Sequence, residues 1–309
     1  MKRIAELFLS LLLPMMLAPG PVSGALAEGS GRAEPLLYQA TDKEGHTIYL
    51  LGTIHVGNAD MYPLSDHVQA AYEDAEVLAV EVDLVGMMRN SQQILAYSLG
   101  MMYPSGDSAK NHLSPETYAL GMEKLGQSEI PLNRMQAAAW VSMAEELSYQ
   151  QFGLSSEYGV DQHLLERAYQ DGKPVDSLET MEFQLELLLS MPDELADYQL
   201  RETLQNPKAA GISTQLLFIA WRQGNEEILS LLFESDMEGV PEEIADAAAA
   251  YAVRMYDERN QGFFEDAKAY LASGQKALIA VGAAHIVGEG GVADLLEKAG
   301  YTVTEIGHP

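Results

Sequence analysis

The chain has 309 residues, no cysteine and a formal net charge of −28. This acidic excess argues against nucleic-acid binding, which needs a positive surface, and it repels anionic lipid surfaces. The lack of cysteine excludes disulfides, thiol chemistry and a lipid-modified cysteine anchor. We interpret the acidity as a source of solubility or as adaptation to a salty medium. The functional alternative is that it attracts cationic substrates or metal ions.

Residues 1–27 have the pattern of a secretory signal peptide. Lys2 and Arg3 precede a mostly apolar run from residue 4 to 17, and small residues end at Ala25-Leu26-Ala27. An uncleaved anchor is the alternative, but the 14-residue run is shorter than the roughly 20 residues of a spanning helix. We therefore predict a periplasmic or secreted protein of residues 28–309, with a net charge of −29 and no stable membrane insertion.

The first predicted elements alternate between strand and helix. Residues 46–56 are apolar and β-branched and predict a buried strand that ends near Gly52. Ser65 follows Tyr62-Pro63-Leu64 and predicts the cap of a helix that runs to about Asp74. Residues 76–84 predict a second buried strand, with two acidic residues at its far end.

The long middle of the chain has a helical pattern. It is helical from about 88 to 172, with caps suggested at Ser114, Asn133 and Ser156, and again from 180 to 273. Residues 173–179 predict a short strand between these helical stretches. The C-terminal part predicts a strand at 276–285, a helix at 291–299 and a strand at 301–306.

The two ends of the chain resemble each other. Each has an apolar strand that ends in G-x-x-H, first at Gly52–His55 and again at Gly282–His285, followed by a helix and another strand. Two such units predict an α/β fold with a mostly parallel sheet and a large helical insert at about 88–273. No low-complexity linker interrupts residues 28–309, so we predict a single domain.

His55, Glu81 and His285 are the first candidate site residues. A histidine just past a buried strand lies where α/β sheets place ligands, although two unrelated structural histidines are the alternative. Glu81 lies in an apolar strand, so it should be paired, protonated or metal-bound unless it faces solvent, and Asp83 competes with it for this role. Two imidazoles and a carboxylate can hold a divalent cation with open positions for water.

Four further residues are weaker candidates. Asp161 and Glu179 are each either part of the site or the cap of a following helix. Arg259 could hold a substrate carboxylate or neutralise Glu81 or Glu179, and Asn260 could cap a helix. The other histidines lack a matching context and are predicted to lie on the surface: His46, His67, His112, His163 and His308.

Several segments resemble the TraB/GumN family, to which the Tiki metalloproteases are related. They include YLLGTIHVG at 49–57, EVLAVEVDL at 76–84, YGVD at 158–161, GKPV at 172–175, RN at 259–260 and VGAAHIVGEGGV at 281–292. The resemblance covers nearly all of residues 28–309. Where the family often has Gly-Leu-Glu-Thr, this chain has Ser177-Leu178-Glu179-Thr180, which leaves the glutamate in place.

The resemblance to the Tiki branch implies a divalent-metal-dependent peptidase. It carries His55, His285 and Glu81 over as active-site residues and metal ligands, and it favours Mn²⁺ or Co²⁺, with Zn²⁺ possible. The leading expectation is thus an exported metal-assisted hydrolase of a peptide or small acyl substrate. The fold also resembles erythromycin esterases, in which histidine and glutamate activate water without metal. A non-catalytic protein that sequesters a peptide or other ligand is the third alternative.

Overall fold

A computed structural model describes residues 32–126, 131–234 and 239–307. The predicted signal peptide, residues 1–27, and His308 lie outside these ranges. The helices and strands, in chain order, are β1 (Leu37–Thr41), β2 (Thr47–Thr53), α1 (Asp66–Asp74), β3 (Val77–Val80), α2 (Leu84–Met88), α3 (Ser91–Gly100), α4 (Pro115–Leu125), α5 (Ala137–Gln150), α6 (Val160–Asp171), β4 (Val175–Ser177), α7 (Met181–Leu189), α8 (Asp193–Gln205), α9 (Pro207–Arg222), α10 (Glu226–Glu234), α11 (Glu242–Met255), α12 (Asp257–Ser273), β5 (Ala277–Gly282), α13 (Ala283–Ile286), α14 (Val292–Lys298) and β6 (Thr302–Glu305).

The strands form one six-stranded sheet in the order β4-β3-β5-β2-β1-β6. Strands β4, β3, β5 and β2 are parallel, whereas β1 pairs antiparallel with both β2 and β6. The predicted α/β fold with a mostly parallel sheet is therefore confirmed. The apolar runs of the central strands are explained by their position, because β3 and residues 277–281 of β5 are buried on both faces.

The helical insert forms its own packed layer. Helices α5, α8 and α9 pack together, α4 packs against α8, and Trp140 of α5 is fully buried. The insert is helical as predicted, apart from β4, which lies within the short strand predicted at 173–179. No helix within the described residues is both long and apolar enough to cross a membrane.

Two strands end earlier than predicted. Strand β3 ends at Val80, so Glu81 follows the strand instead of lying inside it. Strand β5 ends at Gly282, and His285 lies on the helical turn α13. In both cases apolar residues recur past the end of the strand, Val82 and Leu84 after β3 and Ala283 and Ala284 after β5, so hydrophobicity alone overestimates the length of the strand.

Of the four predicted helix caps, two are observed and two are not. Ser65 and Ser114 cap α1 and α4 with their side chains, as predicted. Asn133 and Ser156 instead lie inside short 3₁₀ turns.

Strand β1 was not predicted from the sequence. The turn that joins β1 to β2 contains Gly45 with a φ of 90°, a conformation that favours glycine.

Candidate functional site

The predicted site residues lie at the carboxyl ends of the four parallel strands. His55 follows β2, Glu81 follows β3, Glu179 follows β4, and His285 lies three residues beyond the end of β5. The register pairs Thr53 of β2 with Gly282 of β5, so the two G-x-x-H segments leave the sheet side by side. This is the edge at which open α/β sheets bind ligands.

Three of these side chains surround Gly282. A Cβ atom added at Gly282 would lie 3.3 Å from Glu81 Oε1, 3.5 Å from His55 Nε2 and 3.6 Å from His285 Cδ2. Glycine therefore leaves room for the three side chains to approach one another. The structure thus brings together the paired histidines and the glutamate, which are far apart in the sequence. Their roles remain a prediction.

Asp161 holds His55 in a defined orientation. Its Oδ2 lies 2.7 Å from His55 Nδ1, and its Oδ1 accepts a 2.6 Å hydrogen bond from the Thr53 hydroxyl. The start of α6 is anchored next to the first G-x-x-H segment, because Val160 N donates to Ile54 O at 2.9 Å. A Cβ atom at Gly159 would lie only 2.8 Å from the carbonyl oxygen of His55, so this close approach requires glycine.

These contacts determine the charge of His55. Burial alone lowers the pKa of the His55 imidazole, but the Asp161 carboxylate and then Glu81 outweigh it and raise the pKa to about 9. The side chain of His55 is still 16% exposed. A histidine with this pKa is protonated at neutral pH, and its Nε2 faces the cluster beside Gly282.

Glu81 is buried against a cation. Arg259 Nη2 donates to Glu81 Oε2 at 2.5 Å, and the backbone N–H of Gly282 donates to Glu81 Oε1 at 2.7 Å. Burial would raise the pKa of the Glu81 carboxyl, but the Arg259 guanidinium outweighs burial and holds this pKa well below its usual range. Glu81 is therefore ionised and paired, as one of the interpretations of the sequence required.

Arg259 also binds Glu179. Its Nε and Nη2 donate to the two oxygens of Glu179, each at 2.8 Å, in a bidentate pair. One arginine thus forms ion pairs with both glutamates, which corresponds to the second of the two roles considered for it. Gln184 bridges the same pair, because its Nε2 donates to Glu81 Oε2 at 3.0 Å and to Glu179 Oε2 at 2.8 Å.

His285 is buried in its neutral form. Its Nδ1 lies 2.7 Å from Asn260 Oδ1, and Asn260 Nδ2 donates to Gly290 O at 3.0 Å, so the amide oxygen faces the ring. The ring proton is then on Nδ1, and Nε2 accepts a 2.9 Å hydrogen bond from Arg259 Nη1. Burial, with the Arg259 charge, lowers the pKa of His285 to about 3.

Several weaker candidates have roles different from those predicted. Asp161 is not an N-cap, because Gly159 precedes α6 and Asp161 lies in its first turn. Asn260 lies within α12 and orients His285 instead of capping a helix. Asp83, the competitor of Glu81, caps α2 by accepting from Gly86 N at 2.8 Å. Thr53 and Gln184 were missed, since no sequence pattern distinguishes them from ordinary polar residues.

The remaining described histidines lie away from the cluster. His46 and His67 are exposed, as predicted. His112 is partly buried and contacts Asp107 and Asp193 through its two ring nitrogens, at 2.9 Å and 2.8 Å. His163 is also partly buried, and its ring stacks on Tyr62 with centroids 4.0 Å apart. The surface prediction is therefore only partly correct for these last two.

The predicted metal site does not fit this arrangement. Arg259 donates hydrogen bonds to Glu81 Oε2 and to His285 Nε2, so two of the three expected ligands already share a cation. A divalent ion there would also be repelled by the guanidinium. Within the described residues, no group of three or more histidine, aspartate and glutamate side chains is placed to hold a metal ion.

A pocket opens above the cluster. Its empty volume is about 580 Å³, which includes the open space at its mouth. His55, Glu81, Arg259 and His285 form its polar floor. Its other walls come mainly from the helical insert, so the insert covers the carboxyl edge of the sheet. The polar cluster is therefore reached through a mostly apolar cavity.

Comparison with known proteins identifies the family. Two relatives are the uncharacterized proteins YbaP of Escherichia coli (strain K12) and of Shigella flexneri, each 28% identical over 253 residues. These matches cover 80% of this chain and 87% of each relative. No solved structure is significantly similar to the chain. The sequence pattern of the TraB/PrgY/gumN family matches residues 36–305, and the chain therefore belongs to the TraB/PrgY/gumN family.

Proposed function

We propose that the protein is an exported hydrolase in which His55 activates water directly, without a bound metal ion. One observation carries the proposal: Asp161 holds His55 Nδ1, while His55 Nε2 faces the polar floor of the pocket beside Glu81. A carboxylate on one imidazole nitrogen and a pocket at the other is the arrangement of a general base.

The reaction follows from this geometry. In neutral His55, Asp161 keeps the ring proton on Nδ1, so the lone pair of Nε2 is available to the pocket. His55 Nε2 takes a proton from water as the water oxygen bonds to the carbonyl carbon of the substrate. The protonated His55 then returns the proton to the leaving alcohol or amine as the bond to the carbonyl carbon breaks, and the free base is restored.

Arg259 supplies the positive charge beside Glu81 that was expected, from the sequence, to come from a metal ion. It forms ion pairs with both Glu81 and Glu179, whose side chains are largely buried, and it holds the Glu81 carboxyl in its ionised form. The ionised Glu81 in turn stabilises the imidazolium that forms when His55 takes the proton. Arg259 is thus a positioning residue for Glu81, and His55 is the proposed catalytic residue.

The test is turnover by the purified protein in the presence of a chelator. We expect hydrolysis of p-nitrophenyl hexanoate or of an unstructured peptide that persists in EDTA. His55→Gln should lower kcat/KM by about 10²–10⁴-fold, the usual contribution of a general base. The control, His67→Gln, changes an exposed histidine and should have no effect.

Two results would contradict the proposal. Activity that disappears in EDTA and returns with Mn²⁺ or Co²⁺ would support the metal-dependent alternative instead. Binding of peptides without any turnover would support a protein that sequesters its ligand.

Export is the remaining part of the proposal. It rests on the charged start, the apolar run and the Ala25-Leu26-Ala27 segment. In an expressing bacterium, N-terminal sequencing of periplasmic or secreted protein should begin near Glu28. An intact Met1 in the membrane fraction would contradict export with cleavage.

A further inference from the structure

The walls of the pocket differ from its floor in chemical character. Above the charged cluster the lining comes from α9, α10 and the junction between α11 and α12. These wall residues are all apolar or aromatic: Leu217, Trp221, Leu229, Phe233, Met255 and Tyr256. A substrate that reaches His55 must therefore place part of itself against this apolar surface.

Trp221 contributes only its ring surface to the pocket. Its indole N–H donates to the backbone oxygen of Gly52 at 2.8 Å, and its side chain is almost completely buried. An indole has a single donor, so Trp221 has none left for a ligand. The same hydrogen bond holds the wall against the first G-x-x-H segment, which keeps the apolar surface close to the cluster.

Arg259 has no donor left for a substrate anion. A guanidinium has five N–H groups, and five acceptors surround this one. Those acceptors are both oxygens of Glu179, Glu81 Oε2, His285 Nε2 and Met255 O. The role of Arg259 as a clamp for a substrate carboxylate, which the sequence left open, is therefore not available in this arrangement.

The charges of the floor also disfavour an anion. Glu81 lies in the floor itself, and the two cationic groups of the floor are already bound to carboxylates outside the lining, Arg259 to Glu179 and His55 to Asp161. A substrate carboxylate held against the apolar wall would lose its hydration without gaining a partner there. An uncharged apolar group loses no such hydration against the wall, and its burial there contributes favourably to the free energy of binding.

We propose that this pocket selects an uncharged aliphatic or aromatic group next to the scissile carbonyl, and that it rejects substrates with a carboxylate at that position. The turnover of such substrates rests on the proposed hydrolase function, whereas their binding depends only on the pocket. Binding and turnover can therefore be measured separately.

The binding test uses linear amides that report on the pocket without reacting readily. Butanamide, pentanamide and hexanamide are titrated against the wild-type chain by following Trp221 fluorescence, with buried Trp140 as a constant background. We expect affinity to rise about fourfold with each added methylene. Succinamate, which has a carboxylate in place of the terminal ethyl group of pentanamide, should bind about a hundredfold more weakly than pentanamide.

Three variants of α10 sharpen the test. Phe233→Arg places a cation in the wall, so succinamate should then bind better than pentanamide. Leu231→Arg changes a residue of the same helix that is 52% exposed and absent from the lining, so it should keep the wild-type order. Phe233→Ala, which adds no charge, should move the preference toward longer chains if the arginine variant does not fold.

The outcomes separate this inference from the proposed function. Equal binding of succinamate and pentanamide by the wild type would overturn the inference, as would an unchanged order in both Phe233 variants. Selective binding of amides with no hydrolysis of p-nitrophenyl esters would instead refute the hydrolase and leave the selectivity of the pocket intact.

Discussion

Asp161 Oδ2 lies 2.7 Å from His55 Nδ1, although 106 positions separate the two residues in the chain. This contact joins the first turn of α6 to the end of β2. It raises the pKa of His55 and selects the ring nitrogen that faces the pocket. The first prediction depends on it.

Asp161→Asn should lower the pKa of His55, because it removes the carboxylate that stabilises the imidazolium. In the wild type, kcat/KM should rise with pH up to about 9, as His55 loses its proton and becomes a base. In the variant, kcat/KM should reach its plateau at a lower pH. The rate profile and an NMR titration of His55 measure the two effects. Asp107→Asn, which changes the partner of His112, should leave both unchanged.

The lowered pKa of His285 predicts that the folded protein loses stability in acid. Its pKa is about 3 in the folded protein and has an ordinary value of 6.5, so only the unfolded chain takes up this proton between those values. The free energy of unfolding should therefore fall as the pH drops below about 6.5.

His285→Gln should reduce the slope of this loss between pH 5 and 6.5, a range above the usual titration of carboxylates at about 4. Urea unfolding at several pH values measures the slope. His67→Gln, which changes an exposed histidine, is the control. An unchanged slope in His285→Gln would mean that His285 accepts its proton in the folded protein.

Arg259→Ala should destabilise the fold by about 3–5 kcal/mol, because it leaves Glu81 and Glu179 buried together without their cation. Adding Glu179→Gln to this variant should restore part of the loss by removing one of the charges. Arg201→Ala breaks a more exposed pair with Asp197 and should cost about 1 kcal/mol or less. Equal losses in the two single variants, measured by urea unfolding, would contradict the central role of Arg259.

Removal of Arg259 should also create a metal site. Without the guanidinium, Glu81, Glu179 and His285 Nε2 are left around one vacated position, and these are suitable ligands for Mn²⁺, Co²⁺ or Zn²⁺. We expect these ions to raise the melting temperature of Arg259→Ala but not that of the wild type. If metal ions instead raise the melting temperature of the wild type, and Glu81→Gln abolishes this rise, the metal site predicted from the sequence would be supported.

The sequence predicted the structure correctly where a local pattern of residues determines a strand or its end. The apolar runs marked the parallel strands β2, β3 and β5, and the repeated G-x-x-H marked the edge where their ends meet. Strand β1 was missed, although it forms a local hairpin with β2, and its second pairing, with β6, depends on a segment at the other end of the chain. Hydrophobic patterns identify a buried strand without identifying its neighbours.

The composition of the cluster was largely predictable, since His55, Glu81, Glu179, Arg259 and His285 were all candidates and all lie at the same sheet edge. The ionisation of these groups was decided only by the tertiary structure. Glu81 and Arg259 are 178 positions apart, yet their hydrogen bond determines which ligands remain for a metal ion. A pKa depends on burial and on charges within a few ångströms. Strand and helix patterns carry no record of such distances, so identical candidates could form a metal site or the arginine-centred cluster found here.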